Sequence, residues 1–208
     1  MELFFLSFGA LFSVINPLGT LPIFIGLTNQ KDKKVIIETA IRTAINMLVI
    51  LLISYYLGKY MLSFFGISLQ SLKIAGGIII ATSGFALLTG SFSKHKGMGK
   101  RVKDDAFTRS DISLTPLAIP MLAGPGSISL LISFNDQYNS IQDQIVLNSA
   151  ILTVSVITCL LLISSRVIVK RLGASGLNAL SRIIGFIVIS IGVEYVLSTV
   201  LEIIETIR

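Results

Sequence analysis

The residues best placed for chemistry in this 208-residue chain are two interruptions of apolar sequence rather than a cluster of reactive side chains. In SVINPLGTLPIFIGLT, Ser13 to Thr28, the residues Asn16, Pro17, Leu18 and Gly19 break a hydrophobic run. Pro17 has no amide hydrogen and its ring clashes with the preceding turn, and Gly19 adds no helix propensity. A second break, Ala123-Gly124-Pro125-Gly126-Ser127, lies within TPLAIPMLAGPGSISLLIS. Each backbone group left unpaired in hydrocarbon costs on the order of 2–7 kcal/mol. Such breaks must therefore face protein or a water-filled cavity. There, helix N-terminal amides suit an anionic group and freed carbonyls suit a cation. A zwitterionic amino acid carries both on one carbon. Asn16, Thr20 and Ser127 add side-chain donors and acceptors, while Gly19, Gly124 and Gly126 let a small ligand approach the backbone. The candidate binding residues are thus Asn16, Pro17, Leu18, Gly19 and Thr20 with Ala123, Gly124, Pro125, Gly126 and Ser127.

Glu194 is the only acid well inside an apolar segment. It is a candidate proton carrier, and equally a protonated helix contact or a hydrated group near the outer surface. The single histidine, His95, lies in a basic loop and reads as solvated. The single cysteine, Cys159, excludes intramolecular disulfides and cysteine-based metal sites. No cofactor or metal is expected. A serine nucleophile in GPGS would need a base within hydrogen-bond reach, and no second intramembrane acid accompanies Glu194, so no enzyme is expected. A cation channel would carry rings of acids. Asn46, Thr82 and Ser83 read as helix–helix hydrogen bonds, and Gly76-Gly77 as a close-packing face.

With 53% hydrophobic and 13% charged residues and a mean hydropathy of +0.85, the sequence describes an all-α, polytopic membrane protein. Six apolar segments can be drawn, at 3–28, 39–57, 69–90, 114–134, 145–164 and 183–201. Lys59 to Gln70, KYMLSFFGISLQ, has the look of an interfacial stretch. Nothing resembles a cleavable signal, so the first segment is expected to stay. The net charge of +6 gathers between apolar runs, which argues against nucleic acid as a partner. Basic residues crowd the first, third and fifth loops (Lys31 to Lys34, Lys94 to Arg109, Arg166 to Arg171), while NDQYNSIQDQ in the fourth has none. By that asymmetry both termini lie outside.

The chain also repeats. Lys73, Ile74, Gly76, Ile78 and Ile80 match Arg182, Ile183, Gly185, Ile187 and Ile189 at an offset of 109, and Pro17 matches Pro125 at 108. Two three-helix halves, 1–92 and 113–208, flank a basic loop at 93–112. Because three is odd, the second half enters the membrane from the opposite side, an inverted 3+3 repeat with discontinuous first and fourth helices. Such repeats are typical of secondary transporters.

INPLGTLPIF, GISLQSLKIAGGIII, PLAIPMLAGPGSIS and GLNALSRIIGFIVISIGVEYVL together resemble the MarC family of bacterial and archaeal inner-membrane proteins, also called the neutral amino acid transporter family. The resemblance covers nearly the whole chain. It implies six helices in a 3+3 arrangement, an inner-membrane location, transport of glycine- or alanine-like solutes with protons, and a site at the breaks in helices one and four. Two departures are Lys73, where the family pattern has Arg, and Gln70, where it often has Pro. The partners expected are therefore a small zwitterion, protons, the lipid bilayer and, through Gly-rich faces, a second copy of the chain. The alternative is an exporter or channel for another small metabolite on the same scaffold.

Overall fold

The computed structural model describes residues 1–29, 31–91 and 111–207, which form helices joined by short turns. In chain order these are α1 (Glu2–Ile15), α2 (Pro17–Thr28), α3 (Lys33–Phe65), α4 (Leu69–Leu88), α5 (Ser113–Leu122), α6 (Pro125–Gln137), α7 (Ile141–Ile163) and α8 (Ser165–Ile207). Among the described residues five spans are long and apolar enough to cross a membrane, with α1 and α2 together forming one of them; the bent pair α5–α6 would be a sixth. The loop expected at 93–112, with His95, lies outside the described residues except for Asp111 and Ile112.

Both expected breaks are present, and each has a local cause. Asn16 sits in the left-handed region, at φ 48° and ψ 64°, where asparagine is tolerated better than most residues. Its amide donates to the Phe12 carbonyl at 2.9 Å, closing α1, and its Oδ1 accepts from the Gly19 amide at 3.2 Å, opening α2. One residue caps both helices. Pro17 then occupies the first helical position, where a missing N–H costs nothing.

Helix α5 is irregular throughout. The Ser113 amide donates to Asp111 Oδ1 at 2.8 Å, and this bond above all holds the Asp111 carboxyl below its ordinary range. Thr115 and Ile119, each preceding a proline, have extended backbone, as the proline ring requires of its neighbour. Wide turns bridge them: Leu117 donates to the Ile112 carbonyl at 3.3 Å and Ala123 to that of Ala118 at 2.8 Å. Helix α6 leaves at 65° to α5, beginning with Pro125 in the first position after Gly124.

Several element bounds differ from the sequence reading. Helix α3 has 33 residues, about 50 Å at 1.5 Å per residue, and absorbs Lys59 to Phe65. The expected interfacial stretch is thus mostly the end of a spanning helix, with Tyr60, Phe64 and Phe65 exposed where an aromatic belt would lie. Gly66, at φ 64°, ends it. Arg166, Lys170 and Arg171 are not in a loop but in the first turns of α8, which is interrupted at Gly173 and resumes as the span Ser175–Thr206.

The broken helices lie inside and the continuous ones outside. Half of the apolar window in Glu2–Thr28 is buried, against 22% in Ser175–Thr206. Leu11, Ile15, Leu21, Phe24, Leu117, Met121 and Leu130 form the core with Met47, Leu51 and Tyr55 of α3. Phe186, Leu197, Ile53 and Leu160 face outward. Helix α4 packs on α8, α3 on α7, α2 on α8 and α4 on α6.

Glycine permits the tightest of these contacts. A Cβ on Gly77 would come 2.7 Å from the Gly192 carbonyl oxygen, and one on Gly84 2.6 Å from that of Gly185. The two pairs interchange under a shift of 108, because 77 maps to 185 and 84 to 192. The packing register is therefore 108, the offset of the two prolines, and not the 109 that aligns Lys73 with Arg182. Gly76 faces Ser129 of α6. Asn46 donates to Ser113 of α5 at 3.2 Å, as expected of a helix–helix bond. Thr82 instead donates to the Ile78 carbonyl of its own helix at 2.9 Å.

Two stability outcomes follow in detergent-solubilised protein. Gly192→Leu should lower the melting temperature by the equivalent of about 1–3 kcal/mol, while Gly9→Leu, with nothing within 4 Å of its Cβ, should not. Asn16→Ala should cost about 1 kcal/mol through loss of the cap, and Asn16→Gly only a few tenths.

Candidate functional site

The two breaks meet inside the bundle. A Cβ on Gly126 would lie 3.3 Å from Val14, two residues before Asn16, and 3.0 Å from Ile80 of α4. Asn16, Pro17, Thr20, Ala123, Gly124, Gly126 and Ser127 are buried, Leu18 and Gly19 half-buried, and Pro125 exposed. The second break thus packs against the end of α1 just before the first, but the groups the ten residues offer are not equivalent.

Two of the three side chains read as ligand donors turn back on their own backbone. Thr20 Oγ1 donates to the Asn16 carbonyl at 3.4 Å, and Ser127 Oγ to the Gly124 carbonyl at 2.9 Å. Asn16 Oδ1 is occupied by the Gly19 amide, while Asn16 Nδ2 is buried with no hydrogen-bond partner. That amide packs directly over the Cα of Gly19, where a Cβ would collide with it. An unpaired buried donor costs about 1–3 kcal/mol, so it marks a place where an acceptor would be welcome. The start of α6 has no side-chain cap, which leaves the Gly126 and Ser127 amides without intrahelical partners.

Gly19 is also where the interior opens. A pocket of about 260 Å³ is bounded by Gly19, Pro22 and Ile23 of α2, Leu87 at the end of α4, and Asn178, Ser181 and Arg182 of α8. Its wall combines a cation, an amide and a hydroxyl with apolar side chains. Its volume is sufficient for a small amino acid, and it is open to the surface, where Pro22, Asn178 and Arg182 are exposed. Among the described residues Arg182 has no carboxylate partner.

Asn178, Ser181 and Arg182 were not among the sequence-based candidates. Arg182 reads in sequence as a charge at a helix start, and only the packing of α2 beside α8 gives it a second meaning. Glu194 does not join the breaks: it lies on a separate, largely apolar groove of about 540 Å³ with Leu6, Ala10, Phe134 and Phe186, which includes none of the ten candidates. Among the described residues no three His, Cys, Asp or Glu side chains converge on one point.

Cationic side chains make contacts at the ends of the bundle. Arg166 donates to the Thr28 carbonyl at the end of α2, at 3.2 Å, and Lys59 lies 2.9 Å from Asp136 at the end of α6. Cations at helix C-termini are favourable there. Lys73, nine-tenths buried at the start of α4, lies 3.3 Å from Glu202 near the end of α8.

Residues 1–204 match the family described as MarC family integral membrane protein. A UPF0056 membrane protein of Methanocaldococcus jannaschii is 35% identical over 198 residues, covering 95% of this chain and 96% of the relative. The UPF0056 membrane protein YhcE of Escherichia coli is 32% identical over 195 residues, 94% of this chain and 90% of the relative. The UPF0056 inner membrane protein MarC of Salmonella typhimurium is 32% identical over 209 aligned positions, 94% and 93% of the two chains. No solved structure matches the chain. A family match along almost the entire sequence and relatives of nearly equal length agree with the helical spans: the chain belongs to the MarC family of integral membrane proteins.

Proposed function

We propose that this protein is a secondary transporter of small neutral amino acids, built as two inverted three-helix repeats with both termini outside. The observation that carries the reading is the pair of proline-started half-helices, α2 and α6, in the core at positions 108 apart. The reciprocal glycine contacts between α4 and α8 have the same register and support a pseudo-two-fold axis in the membrane plane. The packing partners are consistent with it, since α2 on α8 corresponds to α4 on α6, and α1 on α7 to α3 on α5.

The chemistry suits a zwitterion. A carboxylate has Arg182, Asn178 and the unpartnered Asn16 amide within or beside one small pocket, and an ammonium group has the carbonyls released at the end of α1. The apolar part of the wall, which includes Ile23 and Leu87, disfavours a second charge. Rocking of one three-helix half against the other would carry the solute across. Proton coupling through Glu194 is a separable part of the reading, since that residue lies on the other groove. An exporter or channel for another small metabolite would use the same scaffold.

Purified protein in proteoliposomes should take up labelled glycine and alanine saturably, faster with an inward proton gradient. Gly19→Leu should lower uptake about tenfold or more, the equivalent of on the order of 1.4 kcal/mol of lost binding. Gly26→Leu, on the same helix with nothing within 4 Å of its Cβ, should leave it unchanged. Absence of uptake by folded, inserted protein would rule out the amino acid reading.

A further inference from the structure

The pocket beside Gly19 has a counterpart under the 108-residue shift, and the counterpart is shut. Gly19 maps to Ser127, Ile23 to Leu131 and Ser181 to Lys73. On the open side Gly19 and Ile23 are half-buried walls of a cavity. On the other, Ser127 is 1% exposed, Leu131 0% and Lys73 9%. The same set of helix surfaces is thus parted at one end of the bundle and pressed together at the other.

The shut end has its own fastenings. Ser129 Oγ donates to the Leu72 carbonyl at 3.1 Å, tying α6 to α4, and the absent side chain of Gly76 makes room for it. The positions equivalent to Ser129 and Gly76 on the open side are Leu21 and Ile184, which can neither make that bond nor seat as closely. Lys73 of α4 pairs with Glu202 of α8 across the same end at 3.3 Å. Lys73 is nine-tenths buried and reaches the half-exposed Glu202 carboxylate, so the pair links α4 to α8 where the shut end meets the surface. The open pocket lies toward the end of α4, where the chain leaves for the basic stretch 93–112, and Arg182 stands in its wall without a carboxylate partner among the described residues. A guanidinium fork fits a carboxylate in two parallel hydrogen bonds.

We propose that the pocket beside Gly19 is a vestibule for carboxylate-bearing solutes on the side of the basic loops, with Arg182 as the carboxylate ligand, and that the region around Ser127 and Leu131 is the equivalent vestibule shut, latched by Lys73 and Glu202. This deepens, and rests on, the transporter reading above. It assigns the conformation as open to one side, and it assigns a role to two ion-pairing residues outside the helix breaks. Opening of the second vestibule requires parting of Lys73 from Glu202 and closure of α2 onto α8. The two must then be populated at each other's expense.

The test is thiol labelling of purified protein in detergent, where both ends are accessible, on a Cys159→Ala background. Ile23→Cys should react with a charged methanethiosulfonate about tenfold or more faster than its repeat mate Leu131→Cys, as a minor-state population of about 10% or less dictates. Ser127→Cys, a nearly isosteric change at the shut end, provides a second probe should Leu131→Cys fold poorly. Adding Glu202→Gln should speed labelling at the shut end and slow it at Ile23→Cys. Equal rates at the two ends, or faster labelling at the shut end with Ile23→Cys unchanged, would overturn the paired vestibules, since mere loosening of a structural contact gives the latter. Alanine or acetate should protect Ile23→Cys, and Arg182→Gln should abolish that protection; protection by neither would overturn the carboxylate site. Protection by acetate but not by alanine would keep the vestibule and overturn the amino acid reading instead.

Discussion

A polypeptide in hydrocarbon must satisfy its backbone hydrogen bonds internally, and the arrangement of this protein follows from two places where the chain declines to do so in the usual way. Around Asn16 and Gly124 the helical ladder is interrupted, and both residues are buried in the bundle. The long spans of α3, α4, α7 and the part of α8 after Gly173 surround them and carry most of the outward apolar surface. Close approach of α4 and α8 depends on Gly77, Gly84, Gly185 and Gly192, whose missing side chains let backbone meet backbone. Without a hydrophobic drive between helices in lipid, such van der Waals contact is a main source of association. The glycines thus hold the outer layer together around an inner layer that needs shelter.

The two breaks solve the same problem differently. Asn16 terminates one helix and caps the next with a single residue in the left-handed conformation. Gly124 has no side chain with which to do this, and the preceding segment is instead wound through two prolines and wide turns. One helix start is therefore self-capped with a spare amide hydrogen-bond donor, and the other presents bare backbone. The spare donor lies behind Gly19, beside the pocket that Arg182 and Asn178 share. In the proposed transporter, selectivity would come from a few fixed dipoles and the pocket wall rather than from a reactive group.

Much of this was legible in the residues. Proline and glycine report backbone geometry directly, so both breaks, their common register and the close-packing face at Gly76-Gly77 could be read locally. The all-helical, membrane-spanning character followed from composition. Other features depend on what lies opposite, which local sequence does not encode. The isoleucines of α4 and α8 favour an offset of 109, which aligns Ile74, Ile78 and Ile80 with Ile183, Ile187 and Ile189, whereas the glycine contacts select 108. The length of α3 was underestimated because Lys59 and Tyr60 look like the end of a span when they continue the helix into the interface. Thr82 was read as an interhelical donor although a hydroxyl on a helix can always reach the carbonyl four residues back, and does. Arg182 carried an evident orientation signal that concealed its place in a pocket wall. Glu194, conspicuous as an acid in apolar sequence, lies on a groove apart from the breaks.

The central claim is that a small solute binds where the start of α2 meets α8. Hydrogen–deuterium exchange of the purified protein, with and without saturating alanine, addresses it without requiring transport. Binding there should slow exchange chiefly in 16–23 and 177–182, which with the end of α4 form or adjoin the pocket, and leave the lipid-facing turns of α3 and α7 unchanged. Protection confined to the groove around Glu194, or none anywhere at saturating alanine, would contradict it.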